Sequence, residues 1–130
     1  MNAYGYGINA HDANNLEITD NVFYSNKQSQ LFIKDRLQKV NDYPIVGYKI
    51  NNNLFFATTA GQKTLNVQAP DYAALPDFIT SASNNYYSHV SAQHIFSKTK
   101  TEDRSVNLND WRQYYLNLFG KNVENGSFEL

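Results

Sequence analysis

At 130 residues, with 42% hydrophobic residues and no Cys, the chain is sized for one domain with a modest core, and it has no disulfide framework or thiolate chemistry. Its 11 Lys and Arg against 12 Asp and Glu lack the basic excess of a nucleic-acid surface, and no apolar run nears the roughly 18 to 20 residues of a membrane span. No charged start leads into an apolar stretch of the secretion-signal kind, so the cytosol and a disulfide-free exported protein both stay open, while 18 Asn form a bias that needs a structural cause.

In chain order, Ile8-Asn9-Ala10-His11 is the first short alternating run. Leu16 to Tyr24 follows, an alternating stretch ending in Asn21, one variable residue and the aromatics Phe23 and Tyr24; then comes Leu31-Phe32-Ile33-Lys34. The same two blocks return as Tyr48 to Phe56 with Leu65-Asn66-Val67-Gln68, and again as Ile79 to Tyr87 with Ile95-Phe96-Ser97-Lys98. Aligning the segments places Asn21, Asn53 and Asn84 together, at intervals of 32 and 31 residues. Runs of four to six residues that alternate have the strand period of two, not the helical 3.6. Coils of about 30 residues stacked at about 4.8 Å would give every strand a partner.

The expected fold is therefore all-β: a parallel β-helix of about three to four coils over residues 7–98, a loop and capping helix over 99–125, and a single unit in all. Aligned Asn side chains would bond in a ladder, and Phe23, Phe55 and Tyr86, flanked by Tyr24, Phe56 and Tyr87, would stack in columns. Asp35 to Gly47, with Pro44, and Ala69 to Asp77, with Pro70 and Pro76, are the corner loops. Lys98 to Arg104 is polar and reads as an exposed loop or hairpin. Asn107 or Asn109 then caps a helix that places Trp111, Tyr114, Tyr115 and Leu118 at helical spacing and closes at Gly120. Met1 to Tyr6 is too short to shield a terminal coil, which leads us to expect the C-terminal part of a longer solenoid whose upstream coils cover the first one.

Gly7-Ile8-Asn9-Ala10 through Leu16-Glu17-Ile18-Thr19-Asp20-Asn21-Val22-Phe23-Tyr24 resembles the right-handed parallel β-helix proteins of the pectate-lyase-like kind, whose coils carry a Gly-Ile block and an Ile-x-x-Asn-x-Phe block. The later Ser83-Asn84-Asn85-Tyr86-Tyr87, Leu108-Asn109-Asp110-Trp111 and Gly120-Lys121-Asn122 look like the last coils and tail of such proteins. The resemblance implies an exported protein, extracellular, periplasmic or at the cell surface, acting on or binding acidic polysaccharide as a lyase, epimerase or glycoside hydrolase. The alternative is a non-catalytic β-helix for binding or display, of the surface-adhesin or phage tail-spike type. In the resembling family the sugar lies on the outer face of one parallel sheet, which here corresponds to the blocks of Ile8, Leu31, Leu65 and Ile95.

With those residues and Ala10, Ile33, Val67 and Ser97 inward, the period of two turns His11, Lys34, Gln68 and Lys98 outward as one row and Asn9, Phe32, Asn66 and Phe96 as another. Aromatic faces stack on sugar rings, amides bond hydroxyls and cations pair with uronate carboxylates. Proton abstraction beside a uronate carboxylate needs a base and a neutraliser. Lys34 is the first candidate and His11 the second, with Arg36 as a carboxylate clamp and Phe32, Asn66, Gln68 and Lys98 as further substrate contacts. Hydrolysis instead needs two carboxylates, and Asp12 with Asp35 is the pair the alignment brings nearest, from a set that includes Glu17, Asp20 and Asp42. The plainer reading of the same rows is a solvated outer face. No cofactor is expected: His11, His89 and His94 lack a zinc spacing, and the calcium of pectate lyases wants clustered carboxylates, whereas Asp12, Asp20, Asp35 and Asp42 are scattered. Trp111 reads as a core anchor of the terminal helix.

Overall fold

The computed structural model describes residues 5–11, 15–34, 47–69, 75–99 and 102–130, with Asn9, His11, Leu75 and Pro76 described by their backbone alone. Most of corner loops 35–47 and 69–77 thus lies outside the described residues. In order the elements are β1 (Tyr6–His11), β2 (Glu17–Thr19), β3 (Val22–Tyr24), β4 (Ser29–Lys34), β5 (Tyr48–Asn51), β6 (Leu54–Phe56), β7 (Lys63–Gln68), the single turn α1 (Leu75–Phe78), β8 (Ile79–Ser83), β9 (Tyr86–Ser88), β10 (Ile95–Lys98), β11 (Asp103–Val106), α2 (Leu108–Phe119) and β12 (Phe128–Glu129). The chain is mostly β and forms three sheets, ordered β1-β4-β7-β10-β11, β2-β5-β8 and β3-β6-β9-β12. All strand pairs are parallel except the β10–β11 hairpin, which is where the polar stretch after Ser97 goes.

Within the first sheet the register is the one read from the sequence: Ile8, Leu31, Leu65 and Ile95 stand in line, as do Ala10, Ile33, Val67 and Ser97. Leu31, Ile33, Leu65, Val67 and Ile95 are wholly buried, each worth roughly 1.5–3 kcal/mol of transfer from water. Ile18, Ile50 and Ala82 line the inner side of the second sheet.

The third sheet corrects one alignment. Val22 pairs with Leu54 and Leu54 with Tyr86, so the residue in line with Asn21 and Asn53 is Asn85, not Asn84. The stacked column is accordingly Phe23, Phe55 and Tyr87, with centroids 5.0 Å apart at both steps and planes within 5° and 8° of parallel. Asn84 belongs to another column. With Asp20, Asn52 and Gly126 it occupies the left-handed corner between two sheets, at φ of 52°, 60°, 59° and 74° respectively. A Cβ at Gly126 would collide with the Asn84 side chain, so glycine is required there twice over. Adjacent Asn84 and Asn85 serve two jobs, and a slip of one residue between them exchanges an inward for an outward side chain.

The ladder has a direction. Asn21 Nδ2 donates to Asn53 Oδ1 at 3.2 Å, and Asn53 Nδ2 to Asn85 Oδ1 at 3.2 Å. Each carbonyl also accepts the backbone N–H of the preceding rung at 3.0 Å, and the amides of Asn53 and Asn85 reach back to Ile18 O and Ile50 O, both at 2.9 Å. Asn85 Nδ2 then needs an acceptor where no further Asn follows. Glu124 Oε1 accepts it at 2.9 Å, while Ser127 Oγ takes the Asn85 backbone N–H at 2.9 Å and itself donates to Glu124 at 2.8 Å. The Tyr87 hydroxyl, at the end of the aromatic column, donates to the other carboxylate oxygen. One wholly buried carboxylate thus terminates both columns. Burial raises the Glu124 carboxyl pKa, against which the bonds from Asn85, Tyr87 and Ser127 pull it back, and burial beside Glu124 raises the Tyr87 phenol well above its ordinary value.

Helix α2 is capped as its sequence implies. Asn107 accepts the Asp110 N–H at 2.8 Å, and Gly120, at φ 63°, donates its N–H to Leu116 O at 3.0 Å. Leu108, Trp111, Tyr114 and Tyr115 are buried, so Trp111 is a core anchor. Leu118 departs from expectation: it is 58% exposed, because the packing stripe runs from Trp111 through Tyr115 to Phe119 at steps of four, with rings 5.0 and 5.7 Å apart. Beyond α2 the chain returns to the sheets, β12 pairing Phe128 with Tyr86 and Glu129 with Tyr87.

Candidate functional site

Of the residues singled out by the sequence, Lys34, Asn66, Gln68, Phe96 and Lys98 lie on strands of the first sheet. His11, Lys34, Gln68 and Lys98 pair strand by strand and so stand in one row. Lys98 is exposed and Lys34 and Gln68 are half-buried. Across the β10–β11 hairpin Lys98 faces Asp103, which sets a carboxylate at the end of the row. In the adjoining row Asn66 and Phe96 are half-buried, Asn66 Nδ2 donating to Ser29 Oγ at 3.3 Å. Phe32 in that row is only 8% exposed, because the Tyr6 ring packs edge-on against it at 4.7 Å. The aromatic face the row can offer a ligand is therefore that of Phe96. The His11 side chain and all of Asp12, Asp35, Arg36 and Asp42 lie outside the described residues. Glu17 and Asp20 are exposed, on or beside the edge strand β2, where Glu17 faces Lys49 at 3.8 Å, an exposed pair that contributes little.

A second constellation was not legible as a motif. His89 follows β9, His94 precedes β10, and β12 carries Glu129 alongside Tyr87. Glu129 Oε2 lies 2.5 Å from His94 Nε2 and 3.5 Å from His89 Nε2, and one donor atom from each of the three residues falls within 4.8 Å of the others. The histidines show no zinc spacing in the sequence, and the cluster arises in space because the third donor comes from a strand 35 positions after His94. The usable signal was Phe128-Glu129 as a fourth copy of the Tyr86-Tyr87 position, which puts Glu129 beside the turn that holds both histidines.

The surroundings fix this cluster. His94 is wholly buried in line with Thr64, whose hydroxyl meets His94 Nδ1 at 2.6 Å and lies 3.2 Å from the His94 carbonyl. Leu108 N–H, at the start of α2, donates to Glu129 Oε2 at 3.1 Å. Burial lowers the His94 pKa to about 4, outweighing the Glu129 hydrogen bond that raises it, and the nearby His89 and Lys63 lower it further. The imidazole is therefore neutral at neutral pH. Lys63 Nζ donates to Gln93 O at 2.6 Å.

Two depressions lie against α2. One, of about 230 Å³, is lined by Asp77, Thr80, Ser81, Tyr115, Lys121 and Asn122 among others, and the second, of about 310 Å³, by residues including Arg104, whose guanidinium sits 4.4 Å over the Tyr114 ring, with Gln113 and Asn117. Neither includes a residue of the Lys34, Gln68 and Lys98 row. No helix among the described residues is long and apolar enough to cross a membrane. Comparison with protein-family models, with curated proteins and with solved structures finds no match to this chain.

Proposed function

We propose that this chain is a segment of a right-handed parallel β-helix, of the pectate-lyase-like kind, from an exported carbohydrate-active protein, and that it binds acidic polysaccharide along the outer face of the β1-β4-β7-β10 sheet. The observation that carries the reading is the in-register row of Lys34, Gln68 and Lys98, flanked by Asn66 and Phe96. Parallel strands repeat at about 4.8 Å, so the two ammonium groups anchor about 10 Å apart, with an amide between them and an aromatic ring in the next row. That alternation of cation, amide and ring suits a polymer carrying carboxylates, hydroxyls and apolar ring faces.

Catalysis on the same face, as a lyase or an epimerase, assigns proton abstraction to Lys34 or His11 and carboxylate neutralisation to Arg36. Hydrolysis assigns Asp35 and Asp12 instead. Binding of alginate and polygalacturonate, measured by affinity electrophoresis against a neutral glucan, tests the reading. The intact protein should be retarded by the acidic polymers and not by the neutral one, and the double variant Lys34→Ala with Lys98→Ala should lose most of the retardation. Equal mobility in all gels would refute it. Absorbance of unsaturated uronates released during incubation distinguishes lyase action from binding.

A further inference from the structure

We propose that His89, His94 and Glu129 form a binding site for one borderline-soft divalent metal ion, with zinc as the type case. Two imidazoles and a carboxylate are the donor set of open, three-ligand zinc sites, and imidazole nitrogen favours zinc, copper, nickel or iron over calcium or magnesium. The three donors converge at one corner of the fold, where His89 and Glu129 remain 15% and 25% exposed and His94 forms the buried floor. An ion entering from solvent would thus meet three protein ligands and keep an outward position for water.

The groups behind the donors suit this role. A metal-bound histidine usually donates its other ring N–H to an oxygen that fixes the ring. The Thr64 hydroxyl occupies that place on His94: while donating to the His94 carbonyl it is able to accept the Nδ1 proton, and that tautomer is the one a metal bound at Nε2 requires. Metal binding would replace the 2.5 Å contact of His94 Nε2 with Glu129 Oε2 by two bonds to the ion, whose tetrahedral ligand atoms lie about 3.3 Å apart. The Leu108 N–H holds the carboxylate oxygen. Lys63, fixed on Gln93 O, is a cation with which the ion must coexist.

Two rearrangements are required: Glu129 Oε2 must draw back from His94 Nε2 by roughly 0.8 Å, and one imidazole must turn. The two imidazoles stack with centroids 4.2 Å apart and planes 7° from parallel. An ion about 2.0–2.1 Å from a ring nitrogen lies in that ring's plane, so it cannot lie in both stacked planes at once. His89 is the ring that turns. Its Nδ1 is buried with no hydrogen-bond partner, whereas Thr64 pins His94, so rotating His89 toward Glu129 breaks no hydrogen bond and brings an orphaned nitrogen within reach of water or metal.

The test is titration of metal-stripped intact protein with Zn²⁺ by calorimetry and with Co²⁺ by visible absorption, alongside His89→Ala and Glu129→Gln. Both variants alter groups with solvent access and leave the buried His94 in place; circular dichroism confirms that each is folded before titration. The expected result is saturable 1:1 binding of Zn²⁺, the visible bands of low-coordinate cobalt, no response to Ca²⁺, and a loss of affinity of at least about tenfold in each variant. Absence of 1:1 Zn²⁺ binding to the parent protein, or undiminished affinity in either folded variant, overturns the site.

Discussion

At the C-terminal end of the stacked sheets β11 pairs with β10, β12 pairs with β9, and β8 is met at its end by the Asn125 bridge to Ser83. The ladder there runs into Glu124 and Ser127, and the aromatic column into the Tyr87 bond to the same carboxylate. At the N-terminal end, among the described residues, β1, β2 and β3 each pair on one side only, and no rung precedes Asn21. Among the described residues the same repeated unit thus ends on paired tail strands and a terminating carboxylate at one side and on strands paired once at the other. A directional ladder needs a terminator only at the end its donors face. There the chain places a carboxylate, an acceptor for several donors at once.

Removing the terminator should have the largest effect. Glu124→Ala strands the Asn85 amide, the Tyr87 hydroxyl and the Ser127 hydroxyl in a buried cavity, and a loss of about 3–5 kcal/mol is expected in urea unfolding. Cutting the ladder in its middle comes next. Asn53→Ala leaves Ile18 O and the Asn21 amide without their partner and should cost about 2–3 kcal/mol, whereas Asn21→Ala, the same deletion at the open, half-buried end, should cost under about 1 kcal/mol. Equal losses at the two positions would erase the contrast between the ends.

The smallest effect concerns pH. The Glu124 carboxyl is raised above its ordinary 4.5 by burial, so the folded chain holds that proton more tightly than the unfolded chain. Its contribution to stability is fully present below the unfolded value and is lost as pH rises through the folded one. Glu124→Gln, which keeps an acceptor for Asn85, should flatten that part of the stability profile. An unchanged slope in the variant would assign it to other groups.

Much of the arrangement was legible because repetition makes it redundant. Four aligned blocks of one sheet agree on a single register, so Leu31, Leu65 and Ile95 could be matched without ambiguity. The third sheet was harder, since Asn84 and Asn85 are identical in type and only the left-handed corner at Asn84 decides which joins the ladder. Phe32 shows a different limit. Alternation assigned it to the outer face as a substrate contact, but it is buried, and its packing against Tyr6 is a contact that no period encodes. Glu124 was hidden for a related reason, since the tail departs from the repeat in sequence while rejoining it in space, and Phe128-Glu129 left only a faint copy of the Tyr86-Tyr87 position. The chemistry of both carboxylates arises from where the tail lands, Glu124 meeting rungs 37 and 39 residues earlier.

The central claim is the asymmetry of the two ends, and residue-resolved native-state hydrogen exchange tests it most directly. The account predicts that backbone amides of Asn53, Leu54, Asn85 and Tyr86, bonded within the stack, exchange only through near-global opening, while amides of β2 and β3 exchange through opening events several kcal/mol cheaper. Uniform protection from β2 through β9 would contradict it.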